Sequence, residues 1–363
     1  MSLRKSRFAM FGRALLAGIA AIAPLQASAQ NSSDVEEGTL RVTLLGVGAG
    51  PRGGEFNIQR PVELQTATLV EIEGKAFLFD AGRGVLEQIS KLGGEYFAKV
   101  DRVYLTHLHG DHNIGIPDLW LTPIRVPEGG RAVPLQVFGP AGTEDMALHI
   151  ASAFEYNLFY SGDSSFGNTL IGRDIQQGIV YEADGITITA FDVDHSPANS
   201  ASEDQVNYPA LGYRVDYAGR SVVISGDTRF SENLIEYSEG VDVLIHEVGG
   251  GGGGEAEGGG RAGMGAMGAM GAMGAMGASG RGGHHTSILE AGEIFNRVQP
   301  GLAVYSHFPR GINQRLIDQT RSVYDGALLV GTEMTVITIS ESIEVVPGND
   351  DPSTALQPAV GAH

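Results

Sequence analysis

The chain has 363 residues, 42% of them hydrophobic, and carries a formal net charge of −19 from 43 acidic and 24 basic residues. Such a length and apolar content suffice for one large globular domain, and the acidic excess argues against nucleic acid as a partner, since that affinity comes largely from Lys and Arg neutralising phosphates. Cysteine is absent, so disulfides contribute nothing to stability.

The first 29 residues read as an export signal. Arg4, Lys5 and Arg7 give a basic start, Ala14 to Ala23 is a short apolar stretch, and Ala27-Ser28-Ala29 is a small-x-small cleavage site. About ten apolar residues are too few to span a bilayer. The expectation is a periplasmic or secreted protein with no membrane span once the signal is removed, the alternative being an uncleaved anchor. The signal holds four basic residues and no acidic one, which leaves −23 on the remainder.

Beyond it, 30–346 read as one domain. Leu40 to Leu45 predicts a strand entering the turn Gly46-Val47-Gly48-Ala49-Gly50. The runs Thr68 to Ile72 and Ala76 to Phe79 flank Glu73-Gly74-Lys75 as a hairpin. A helix is expected at Val85 to Leu92, a strand at Arg102 to Leu105, another at Leu135 to Phe138 and a helix from Thr143. Strands follow at 179–180, 186–193, 211–215, 221–225 and 241–245, then helices from Thr286 and Asn313 with strands at 303–306 and 336–339. Early strands followed by alternating helices and strands favour two sheets covered by helices over an all-β sandwich.

Residues 249–283 break that pattern. Glycine dominates, and Met264, Met267, Met270, Met273 and Met276 recur every third residue, a composition that does not fold by itself. A flexible insertion is the simplest reading. By sequence position it would sit as a lid, and its thioethers offer an alternative of another class, a periplasmic Cu(I)-binding protein. The tail 347–363 is expected to be disordered.

Chemistry concentrates in His107-Leu108-His109-Gly110-Asp111-His112, three imidazoles and a carboxylate directly after a strand. His107 and His109 can converge if the chain stays extended, while Gly110 can turn Asp111 and His112 toward a second ion. Imidazole and carboxylate suit catalytic zinc, whose sites keep one position open for water, and they also suit Mn2+ or Fe2+.

This run resembles the H-x-H-x-D-H signature of the metallo-β-lactamase superfamily. Phe79-Asp80-Ala81-Gly82 is similar to its early Asp motif, and Asp194-His195-Ser196, Ser225-Gly226-Asp227-Thr228 and Tyr305-Ser306-His307-Phe308 to its later ones, in the same order. The resemblance implies an αββα four-layer sandwich and two Zn2+ per chain. It places His107, His109 and His195 on one ion, Asp111, His112 and His307 on the other, Asp227 between them and Asp80 in support. Taken alone, Asp227 could instead cap a helix starting near Phe230.

Ile245-His246-Glu247 and His285-Thr286-Ser287 resemble elements of the ribonuclease Z branch, which includes phosphodiesterase-like and arylsulfatase-like members. That likeness implies Asp111, Glu247 and His285 as catalytic residues, the last two as a proton relay. Val248-Gly249 after the Glu and the Thr-Ser order depart from the pattern, and His246 could simply be buried. Ribonuclease Z enzymes carry a tRNA-gripping arm before the bridging-Asp strand; here only Asp216 to Gly219 lie between Val215 and Arg220. The expected function is hydrolysis of a phosphodiester or sulfate ester in a small to moderate-sized substrate by metal-activated water, with no nucleic-acid partner and a homodimer left open. A ribonuclease Z-type endoribonuclease and a β-lactam or lactone hydrolase stand as alternatives.

Overall fold

A computed structural model of the chain describes residues 35–50, 64–125, 130–156, 166–195, 209–249, 285–309, 311–349 and 356–360. All of them belong to one compact unit, Ser33–His363. The expected signal, the insertion beyond Gly249 and His284 lie outside the described residues. Among those described, no helix is long and apolar enough to cross a membrane.

Two sheets form the centre. The first has eight strands in the order β15-β14-β1-β2-β3-β4-β5-β6: β1 (Leu40–Gly46), β2 (Ala67–Ile72), β3 (Lys75–Phe79), β4 (Val100–Tyr104), β5 (Leu135–Gly139), β6 (Leu170–Asp174), β14 (Thr335–Ile339) and β15 (Ile343–Val346). The second has seven, β13-β12-β11-β10-β9-β8-β7: β7 (Gly178–Ala183), β8 (Ile186–Val193), β9 (Ala210–Tyr217), β10 (Arg220–Ile224), β11 (Val243–His246), β12 (Leu302–Tyr305) and β13 (Leu328–Val330).

Strand periodicity divides the apolar side chains between two cores. In β1, Leu40, Val42 and Leu44 face the space between the sheets, whereas Leu45 faces outward. In β3, Phe77 and Phe79 point inward while Ala76 and Leu78 point outward. The outward set is covered by α1 (Val85–Leu92) and α4 (Ile116–Leu121), through Val85, Ile89, Ile116, Leu119 and Trp120. On the far side, α7 (Ile288–Val298) and α8 (Asn313–Thr320) cover the second sheet with Ala291, Ile294, Phe295 and Leu316. Four layers result, the expected αββα sandwich. The remaining helices are α2 (Tyr96–Lys99), α3 (Gly110–Asn113), α5 (Thr143–Ala153) and α6 (Glu232–Tyr237).

Strand direction places the site. β3 to β6 run parallel, as do β10 to β13, so their carboxyl ends gather along one edge of the sandwich, where α/β folds form their crevices. β8 and β10 are both antiparallel to β9, so β8 ends on the same edge. The β9–β10 link is a tight turn with Ala218 and Gly219 at φ 49° and 75°, as a two-residue hairpin requires, and no arm emerges there.

One expectation is corrected. The tail does not stay disordered throughout, because Gln357 pairs with Leu328 on β13 through two backbone hydrogen bonds of 2.8 and 2.9 Å, and the Val360 N–H donates to the Asp325 carbonyl. Arg321 fixes the same segment by donating to the Gln357 and Pro358 carbonyls. The β13 edge left a row of unpaired backbone groups, and this short segment takes them up.

Candidate metal centre

Each strand of that edge delivers one piece of the site. β3 ends in Asp80, β4 in the His107–His112 loop, β8 in His195, β10 in Asp227, β11 in Glu247 and β12 in His307. Two of these residues pay a conformational cost: Asp80 and His307 have φ of 60° and 48°, a region that costs ~1–3 kcal/mol for non-glycine residues. Phe79, immediately before Asp80, and Tyr305, two residues before His307, are buried, and each offsets a comparable amount through ~1.5–3 kcal/mol of apolar burial.

Two ligand groups emerge. In the first, His107 Nε2 lies 2.9 Å from His109 Nδ1, which lies 3.2 Å from His195 Nε2, and Asp227 Oδ2 is 3.8 Å from both Nε2 atoms. In the second, Asp111 Oδ2 is 3.2 Å from His307 Nε2 and 3.7 Å from His112 Nε2. Asp227 Oδ1 reaches this group as well, 3.5 Å from His112 Nε2 and 3.1 Å from His307 Nδ1. Asp227 thus faces both groups. It does not act as the cap of α6; Ser231 does, accepting from the Leu234 N–H.

The donor set fits a divalent cation. Metal–nitrogen bonds of 2.0–2.1 Å at tetrahedral angles put ligand nitrogens roughly 3.3 Å apart, close to the spacings in the first group. Buried polar atoms almost always have hydrogen-bond partners, yet His112 Nε2, Asp227 Oδ1 and His307 Nδ1 are buried with none. Two imidazole nitrogens and a carboxylate oxygen converging without hydrogen-bond partners are what a cation would satisfy. His107, His109, His195 and Asp227 could hold one ion, and Asp111, His112 and His307 another.

Charge follows from packing. Burial, aided by the nearby His112, pushes His107 well below the usual imidazole range against the pull of Asp227. Burial likewise lowers His109. Both stay neutral with a lone pair free, as a ligand must be. Burial would also lower His112, but Asp227 and Asp80 outweigh it and raise it far above its usual value. Burial would raise the Asp111 carboxyl; the His307 hydrogen bond and the His112 charge overcome this and hold it well below the carboxylate range. In the metal-free protein His112 therefore carries a proton that an incoming ion must displace.

A supporting layer fixes these rings. His112 Nδ1–H donates to Asp80 Oδ2 at 2.9 Å, and Thr106 donates to Asp80 from its backbone N–H and its hydroxyl. The same hydroxyl lies 3.1 Å from His107 Nδ1, leaving Nε2 of each ring aimed at its group. Thr106 had no signature in the sequence beyond preceding the His cluster.

Glu247 and His285 meet beside the ligands. His285 Nδ1–H donates to Glu247 Oε2 at 3.1 Å, and Glu247 Oε1 accepts from the Thr228 and Thr286 N–H groups. His285 Nδ1 is also 3.7 Å from Asp227. Burial would lower His285, but Glu247 more than reverses it and raises the ring to about 9. The departure at Val248-Gly249 has a steric reason: a Cβ on Gly249 would lie 2.3 Å from that of His285. His246 takes no part in the ligand groups; it is fully buried and its Nδ1–H donates to the Glu247 carbonyl. His149 is exposed on α5.

Comparison with known proteins agrees with this geometry. Residues 75–308 match the Beta-lactamase superfamily domain. A ribonuclease Z of Mycolicibacterium paratuberculosis is 32% identical over 213 residues, 58% of this chain and 70% of that protein. Another from Mycobacterium bovis is 27% identical over 303 residues, 81% and 96% of the two chains. Among solved structures, the metallo-β-lactamase fold protein YhfI of Bacillus subtilis superposes with a TM-score of 0.58 at 20% identity, covering 83% of this chain and all of that one. The strand-end ligands, the two-sheet sandwich and these likenesses agree: the chain belongs to the metallo-β-lactamase superfamily of hydrolases, in its ribonuclease Z branch.

Proposed function

We propose that the protein is a binuclear metal-dependent hydrolase, most simply with zinc, that cleaves a phosphodiester or sulfate ester of a small to moderate-sized substrate. The observation that carries this reading is the bridging position of Asp227 between two ligand groups, with the Glu247–His285 pair at its side. When bound, two divalent ions of this kind acidify a water and polarise ester oxygens. The chain's own part is to hold neutral imidazoles and ionised carboxylates around them and to place a proton donor at the rim. His285 fills that role: its Nδ1–H donates to Glu247, whose charge raises the proton affinity of the ring. Protonation of the departing alcohol or phenol by this ring lowers the barrier.

RNA is the competing substrate, favoured by the names of the relatives. Against it stand the net charge of −19, unfavourable for a polyanion, and the two-residue β9–β10 turn. The apolar and basic composition of residues 1–29 supports export, so the reading is of an exported enzyme meeting small esters.

The test is a panel of a bis-aryl phosphate, an aryl sulfate, a lactone, a β-lactam and a tRNA precursor, run on zinc-loaded protein beside His109→Ala. Turnover of the phosphate or sulfate ester that His109→Ala loses supports the proposal. Preference for the tRNA precursor or the β-lactam would reject it.

A further inference from the structure

The turn Gly46-Val47-Gly48-Ala49-Gly50 starts at the last residue of β1 and contributes no ligand, yet it reaches the second ligand group. The Gly50 N–H donates to Asp111 Oδ2 at 2.7 Å, shorter than any other contact of that oxygen given above. The turn is held from two sides. Gly48 bridges both Gln65 and Phe308, the residue after His307, and the Phe308 N–H donates to the Val47 carbonyl. A Cβ on Gly46 would lie 1.8 Å from the Gln65 carbonyl oxygen, so the two backbones meet there without space for a side chain. Gly50 itself has φ 67°, while a Cβ at that position would touch nothing within 4 Å.

We propose that this glycine turn is a positioning element of the metal centre, with the Gly50 backbone amide setting the direction in which Asp111 presents its carboxylate. The inference rests on the two-ion reading above. An amide donor on the carboxylate oxygen fixes the ligand before an ion arrives, which is how outer hydrogen bonds raise metal affinity, typically by 10–100-fold. The turn's hydrogen bond to the site is made to Asp111, so the effect falls on the ion held by Asp111, His112 and His307. The left-handed backbone at Gly50 is what aims the amide, and asparagine tolerates that conformation where β-branched residues do not. Because no described atom lies within 4 Å of a Cβ at Gly50, substitution there acts through φ.

The experiment uses the full chain, stripped of metal and reloaded with Zn2+ against a chelator of known affinity, with metal content and the two dissociation constants read for wild type, Gly50→Asn, Gly50→Ala and Gly50→Val. The expected result is two ions in wild type and in Gly50→Asn, and weakening of one ion alone by about 10–100-fold in Gly50→Val, with Gly50→Ala between. Retention of the other ion shows that the fold survives the change. Equal affinities in all four proteins, or loss of both ions together in the valine and alanine variants, would overturn the proposal. Wild-type protein that takes up no ion would overturn the two-ion reading itself, and this inference with it.

Discussion

The two ligand groups differ in how the protein holds them. In the first, His109 is exposed and the three imidazoles are placed mainly by the ends of β4 and β8. In the second, all three side chains are buried and each is gripped from behind or beside: His112 by Asp80, Asp111 by the Gly50 amide, and His307 by a backbone bridge through Phe308. Preorganised, dehydrated ligands bind tightly, whereas an exposed imidazole lets solvent and ion exchange. The comparison teaches that one superficially symmetric centre is built from a guarded group of side chains and an open one, with Asp227 facing both.

The largest expected effect comes from removing that joint. Asp227→Ala should abolish uptake at both positions and lower kcat/KM by at least about 10³-fold, ~4 kcal/mol of transition-state stabilisation; metal analysis with kinetics checks this. If Asp227→Ala kept both ions, the two groups would be independent. Next, His109→Ala should lose only the open ion, leaving close to one ion per chain by elemental analysis, while Asp111→Asn should lose the guarded one.

Glu247→Gln sharpens the account of the rim. In the metal-free protein His285 should titrate near 9; without the Glu247 charge, burial acts with less opposition and the midpoint should fall toward or below 6.5, visible by NMR of the imidazole. The sign for stability follows. A folded-state value above the unfolded one means that this proton stabilises the fold fully below about 6.5, and that the contribution is lost as pH rises through about 9. Turnover should drop by about 10²-fold or more if the pair acts as a proton donor. An unchanged midpoint would separate Glu247 from His285.

A smaller effect is expected at Thr106→Val, which removes the hydroxyl shared by Asp80 and His107 and should weaken metal binding about 10-fold in a chelator competition. Smallest is Ser231→Ala, which deletes the α6 cap. It should cost ~1 kcal/mol in urea unfolding and leave metal uptake unchanged, so a change in uptake there would deny that the centre is locally organised.

The His107–His112 run was legible because three imidazoles and a carboxylate in six residues leave packing with nothing to explain them. Glu247 and His285 were legible through motif likeness, although the contact between them joins positions 38 apart. What stayed hidden acts through backbone or a single hydroxyl: the Gly50 amide, the Thr228 and Thr286 amides on Glu247, and Thr106. No residue type announces a backbone donor. In the fold, β6 and β15 were missed because none of their residues is fully buried, and β13 because three residues make no pattern. The helix α4 hides behind Pro117, which the first turn of a helix tolerates.

The most direct measurement is anomalous X-ray scattering from crystals of the zinc-loaded protein, recorded on both sides of the zinc absorption edge. Two peaks are predicted, one among His107, His109 and His195 and the other among Asp111, His112 and His307, with Asp227 touching both. A single peak, or none within reach of Asp227, would contradict the account.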